Sequence, residues 1–143
     1  MAFPVLGASV PAHAELGGTM SLHGSSVAGP PRVLLNGALR VRTFTDAGAT
    51  TINEYATSTG LIVAYTWQGP TMPDLRALLG LHVESYRVGA AAALASASGG
   101  NLHASRIERP DVIVESGGPM RSYAGRAWLP AALPSGVTAD DFQ

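Results

Sequence analysis

The apolar residues of this chain are densest between Thr59 and Tyr86, and two periodicities meet there. Leu61, Val63, Tyr65 and Trp67 alternate with Ile62, Ala64, Thr66 and Gln68. That is the two-residue period of a strand with its larger side chains on one face. Gly69-Pro70 ends the strand, since proline has no N–H for the ladder. Thr71 and Asp74 then stand at capping-box spacing, with Pro73 between them. Beyond them Leu75, Leu78, Leu79, Val83, Tyr86, Ala90, Leu94 and Ala97 recur at three- and four-residue steps, the apolar stripe of one long helix. Gly80 marks a break or kink in it, costing about 1 kcal/mol relative to alanine. Ser98-Gly99-Gly100 stops it.

The flanks repeat the strand signal. Ala38 to Thr45 sets Leu39, Val41 and Thr43 against Arg40, Arg42 and Phe44, an edge strand whose arginines are expected to face water. Asp46-Ala47-Gly48 turns the chain into a second strand over Thr50 to Ala56, and Ser58-Thr59-Gly60 leads into the central one. C-terminal to the helix, Val112-Ile113-Val114 predicts a short buried strand and Ser116-Gly117-Gly118-Pro119 a hairpin loop. Met120 to Trp128 is the return strand. Leu129-Pro130 to Leu133-Pro134 is expected to run over the surface and Asp140-Asp141 to be solvated. Hairpin, helix, hairpin predicts an α+β fold, an antiparallel sheet of four to five strands with one long helix packed on one face.

Outside those elements the pattern weakens. Residues 1–14 have the character of the end of a secretory signal peptide: Ala2 to Val10 is mostly apolar, and Ala12-His13-Ala14 is an A-x-A cleavage pattern. No basic residue precedes Arg32, so the usual n-region is missing. Residues 15–37 carry few apolar anchors and read as a flexible arm, leaving 38–143 as the single α+β domain. No later run approaches the roughly 20 apolar residues of a membrane span. The expectation is an exported protein, periplasmic or secreted.

Composition narrows the chemistry. With 46% hydrophobic and 13% charged residues, the chain is a globular one of 143 residues, long enough for a real core. A net charge of -1 offers no broad attraction to nucleic acid or to an anionic membrane. Cysteine is absent, which excludes zinc–thiolate sites, thiol nucleophiles and disulfides. His82 has no second histidine at ligand spacing and is expected as a half-buried structural residue. Neither Ser25-Ser26 nor Ser116 lies in a nucleophile elbow, and Gly117-Gly118 is not a phosphate loop. Glu54 and Glu115 are the carboxylates nearest the expected core, the pair a glycosidase would need, with Trp67, Trp128 and Tyr123 as sugar platforms. In a regular strand Arg126 shares a face with Trp128, opposite Arg121, where a pair with Glu115 across the hairpin is open to it; such a half-buried pair is more commonly structural than ligand-binding. The candidate binding residues are therefore Glu115, Arg121, Tyr123, Arg126 and Trp128. No catalytic residue, cofactor or metal ligand is expected.

Three blocks carry a resemblance. They are Glu15-Leu16-Gly17-Gly18 after the export-like start, Trp67-Gln68-Gly69-Pro70-Thr71-Met72-Pro73-Asp74-Leu75 with Leu78-Leu79-Gly80, and Glu115-Ser116-Gly117-Gly118-Pro119-Met120-Arg121 with Gly125-Arg126-Ala127-Trp128-Leu129-Pro130. Together they resemble an exported proteobacterial family catalogued as domain of unknown function number two-eight-four-four. The resemblance runs from about Glu15 to the C-terminus and is weakest over residues 19–36 and 96–108. It implies a Gram-negative envelope or secreted protein, assigns no activity, and points to another exported protein as partner. Pro119 departs from the histidine expected there. The resulting expectation is a non-enzymatic interaction module using the edge near Arg40–Phe44. The alternative is a small carbohydrate-binding or hydrolytic protein using a carboxylate, arginine and aromatic site.

Overall fold

A computed structural model describes residues 15–20, 31–96 and 104–142; the expected signal-peptide remnant, the Ser98-Gly99-Gly100 stop and residues 21–30 of the arm lie outside them. Among the described residues seven strands form one antiparallel sheet: β1 (Arg32–Leu34), β2 (Leu39–Thr45), β3 (Thr51–Thr57), β4 (Ile62–Gly69), β5 (Ala104–Glu108), β6 (Ile113–Gly117) and β7 (Tyr123–Trp128). Their order is β1-β2-β3-β4-β7-β6-β5. The two helical segments are α1 (Leu75–Leu79) and α2 (Val83–Ser96), joined by a 3-10 turn over Gly80–His82. The α+β class with helix on one face holds, but the sheet is larger than four to five strands. The additions are β1 and β5, and β5 reads Ala-Ser-Arg-Ile-Glu with Ile107 as its one large apolar residue, too little for a periodic signal.

Each side of the sheet carries a core. One face packs Ile52, Ile62, Tyr65, Trp67 and Val114 against Leu78 and Leu79 of the helix. The other packs Leu39, Val41, Tyr55, Val63 and Trp128 against Val137 and Phe142 of the C-terminal segment. That segment therefore does more than cross the surface. Its last turn is held by a capping box between Thr138 and Asp141, and Phe142 lies edge-on to Tyr55 with ring centroids 5.0 Å apart. Asp141 is accordingly a capping residue and not merely solvated, its carboxylate accepting from the Thr138 amide at 2.8 Å.

Central strand β4 departs from simple alternation. Tyr55 pairs with Ala64 and Ala56 with Ile62, so Val63 has no counterpart in β3. This bulge shifts the parity. Leu61 and Val63 fall on the C-terminal-segment side, and Tyr65 and Trp67 on the helix side. The four residues expected on one face serve two cores instead.

At the corner after β4 the capping pair separates into two jobs. Asp74 is the N-cap and accepts from the Ala77 amide at 3.3 Å. The Thr71 hydroxyl donates to the carbonyl of Gly48 at 3.1 Å, and Thr50 donates to the carbonyl of Thr71 at 2.6 Å. Those bonds pin the β2–β3 hairpin to the corner. Gly80 adopts φ +55°, and the Glu15 side chain fills the space where a Cβ would stand, so the break requires glycine. Leu94 continues the core-facing stripe in sequence yet is 71% exposed, because residues 91–95 extend past the packed region.

The stretch expected as a flexible arm is partly built into the fold. Leu16 and Met20 are each 2% exposed, and Thr19 bridges Leu61. The amides of Leu16 and Gly17 donate to the carbonyls of Leu78 and Ile62. Two buried side chains and these backbone bonds outweigh the glycine-rich composition that suggested freedom. Further on, β1 takes the edge position expected for β2, pairing Arg32 to Leu34 with Val41 to Leu39.

Candidate functional site

A polar row crosses the sheet on the C-terminal-segment side. In register from β2 to β5 it runs Thr43, Asn53, Thr66, Arg126, Glu115, Arg106. Cross-strand neighbours meet side chain to side chain. Thr43 donates to Asn53 at 2.6 Å and Asn53 to Thr66 at 3.0 Å. At the other end Glu115 lies between two guanidinium groups, 2.6 Å from Arg106 and 3.3 Å from Arg126. Arg106 also approaches Glu108 at 3.5 Å. Both guanidiniums stand over the Trp128 ring, at 5.8 Å and 5.2 Å from its centroid.

Arg126 has a further role. It donates to the carbonyl of Ala139 at 2.6 Å and reaches that of Phe142 at 3.5 Å. One side chain thus ties the acidic member of the row to the C-terminal segment. The segment covers Trp128 and part of this face, and beyond Phe142 no described residue packs over the sheet. Two adjoining hollows lie there, of about 420 Å³ and about 670 Å³, sharing Ala124, Gly125, Arg126 and Phe142. In the next register row Thr51, Gln68 and Ala124 line the outer bank of the first hollow.

Of the residues proposed from sequence, Glu115, Arg126 and Trp128 come together. Tyr123 does not join them, because β7 runs without a bulge and places Tyr123 and Arg126 on opposite faces. Arg121 precedes β7 in the turn, exposed, with φ +67°. Trp128 is 4% exposed and lies beneath the arginines, so it offers no open platform. Glu54 and Glu115 are separated by the sheet. Glu54 sits on the helix side, 1% exposed, and accepts from the Tyr65 hydroxyl at 2.9 Å. Burial raises the Glu54 pKa, opposed by that hydrogen bond and by Arg42. Burial and the neighbouring Glu54 also push the Tyr65 hydroxyl well above its ordinary range. Arg42 is buried beside this pair, against the expectation that it faces water, because its register position opposite Glu54 puts it on the face that packs the helix.

His82 is half-buried, as its position on the helix predicts, but its partners were not legible. Its Nδ1 lies 2.8 Å from Asp111, which accepts from Ser85 at 2.5 Å on its other oxygen. Arg109 donates to Ser85 at 3.3 Å. Partial burial raises the Asp111 pKa, but the Ser85 and His82 hydrogen bonds outweigh it and hold the carboxyl below its ordinary value. This network fastens the helix break to the β5–β6 turn. Among the described residues no three histidine or acidic side chains converge as a metal site.

Thr43, Asn53, Thr66 and Arg106 are the members of the row that sequence reasoning missed as site residues. Arg106 would have been found had Ile107 been read as the one inward residue of a strand, since Arg106 then faces Glu115. No curated protein and no solved structure matches the chain. The family described as protein of unknown function (DUF2844) matches residues 12–142, and the chain belongs to that family.

Proposed function

We propose that the protein is an exported, non-enzymatic binding module that engages another exported protein by strand addition at the β1–β2 edge. One observation carries this. The sheet ends in a three-residue strand that exposes Val33 (62%), and β1 pairs with Leu39–Val41 only. Among the described residues, Thr43 to Thr45 of β2 then pair with a strand on the β3 side alone. Pro31, next in line along β1, has no N–H with which to extend the ladder. A short edge strand blunts self-association, while the step beside it leaves main-chain groups for an incoming strand.

The disposition of the reactive side chains supports a binding role over hydrolysis. The Glu115 carboxylate is clamped by two arginines, Ser116 is bonded to Ser105 at 3.0 Å, and the imidazole of His82 is held by Asp111. Export is supported by the apolar start and the A-x-A pattern at Ala12-His13-Ala14. No helix among the described residues is long and apolar enough to cross a membrane. The test is capture with the tagged full chain from a native envelope fraction, read by mass spectrometry. A stoichiometric exported partner, retained by the wild type and lost by Val33→Lys/Thr43→Lys with unchanged circular dichroism, is the expected result. Absence of any such partner, or its retention by the double variant, refutes the edge reading.

A further inference from the structure

We propose that the open hollow beside Phe142 is a binding site for a neutral oligosaccharide, lying across the ends of β3, β4 and β7. This does not rest on the strand-addition reading, since it uses the sheet face and not its edge. The shape comes first. The hollow of about 420 Å³ is of small-ligand size and opens into the larger one, so a chain of several rings can lie along the pair.

The lining selects the ligand class. The first hollow is bordered by the exposed Thr51 and Gln68, whose hydroxyl and carboxamide both donate and accept, and by Asn53 and Thr66, which are bonded to each other and have capacity for a further bond. A ligand with mixed donors and acceptors on every unit meets that lining well. Its single cation, Arg126, is already engaged by Glu115 and by two main-chain carbonyls. In the adjoining hollow Arg106 is paired with Glu115 and Glu108. An ionic ligand would have to displace these partners, so neutral ligands are favoured. An extended peptide is a poor match for this face, because the backbone groups of β3, β4 and β7 here are already paired in the ladder.

The floor adds an apolar strip. Ala124 and Gly125 present almost no side chain between Gln68 and Arg126. Gly125 is required there by a second constraint, since a Cβ would overlap the Trp67 ring on the opposite face. The C–H face of a ring can lie on that flat strip while its hydroxyls reach the row. Both nearby aromatic rings are buried, Phe142 to 2% exposure, so the site lacks a stacking platform. Affinity is accordingly weak, with dissociation constants on the order of millimolar.

The experiment is an amide chemical-shift titration of the full chain with maltohexaose and with chitotriose. Saturable shifts confined to Thr51, Asn53, Gln68 and Ala124–Arg126, with either sugar, are expected. Ala124→Leu fills the exposed floor without touching the core and should weaken binding at least about tenfold. Gln68→Ala, equally exposed, should weaken it less. No shift with either sugar up to tens of millimolar overturns the proposal, as do shifts elsewhere or binding undiminished in Ala124→Leu. Equal shifts of the same amides by polyglutamate overturn the neutral-ligand assignment.

Discussion

Each face of the sheet carries a glutamate with an arginine across the next strand, in different settings. On the helix side Arg42, Glu54 and Tyr65 are cross-strand neighbours, all three buried. On the other side Arg106, Glu115 and Arg126 occupy the same kind of row, half-exposed at the margin of an open hollow. Burial decides what each does. The inner row has lost water and must satisfy itself, so its members are tied to folding. The outer row keeps water, and its charges set the character of a surface while one of them, Arg126, anchors the C-terminal segment.

Substitutions should separate the two. Glu54→Ala leaves the Tyr65 hydroxyl and the buried Arg42 without their carboxylate and should cost about 3–5 kcal/mol in urea denaturation. A loss under about 1 kcal/mol would place the inner row in the class of surface pairs. Arg126→Ala removes charge-assisted bonds to two carbonyls and should cost about 2 kcal/mol. Its signature is faster amide exchange over Ala139–Phe142 with β2–β3 exchange unchanged. Glu115→Gln should cost about 0–1 kcal/mol and the difference should shrink in high salt, because the pair is half-exposed.

Acid titration sharpens the comparison further. The folded pKa of Glu54 is raised, so its contribution is fully present below its ordinary value of 4.5 and is lost as pH rises through the folded value. Asp111 is the reverse. Its pKa is lowered, so its contribution is present above 3.8 and disappears as pH falls through the folded value. Stability measured against pH should therefore lose its decline on the alkaline side of the Glu54 transition in Glu54→Gln, and lose part of its acid-side decline in Asp111→Asn. If Glu54→Gln leaves the profile unchanged, the carboxylate is not buried as described.

Much of the secondary structure was legible in the chain. The β2–β3–β4 meander, the helix with its Gly80 break and the β6–β7 hairpin each announce themselves by period and punctuation, because each buries a regular set of apolar residues. Strands β1 and β5 do not, since an edge strand needs few apolar residues. At the site, strand parity alone put Arg126 on the face of Trp128, and the hairpin register then set it opposite Glu115. Arg106 could not be placed opposite Glu115 until β5 was known, nor Asp111 opposite His82, residues 29 apart in sequence.

By itself, then, the sequence determined the fold class, the strand-corner-helix centre and which residues of β7 share a face, all consequences of local periodicity and backbone chemistry. Only the tertiary structure decided that Val63 breaks the parity of β4, that Leu16 and Met20 belong to the core, and that Glu54 and Glu115 lie on opposite sides of the sheet. It also decided that Phe142 covers one end of a face and leaves the other open. Those outcomes depend on register and on which distant segments bury one another, and neither leaves a period in the chain.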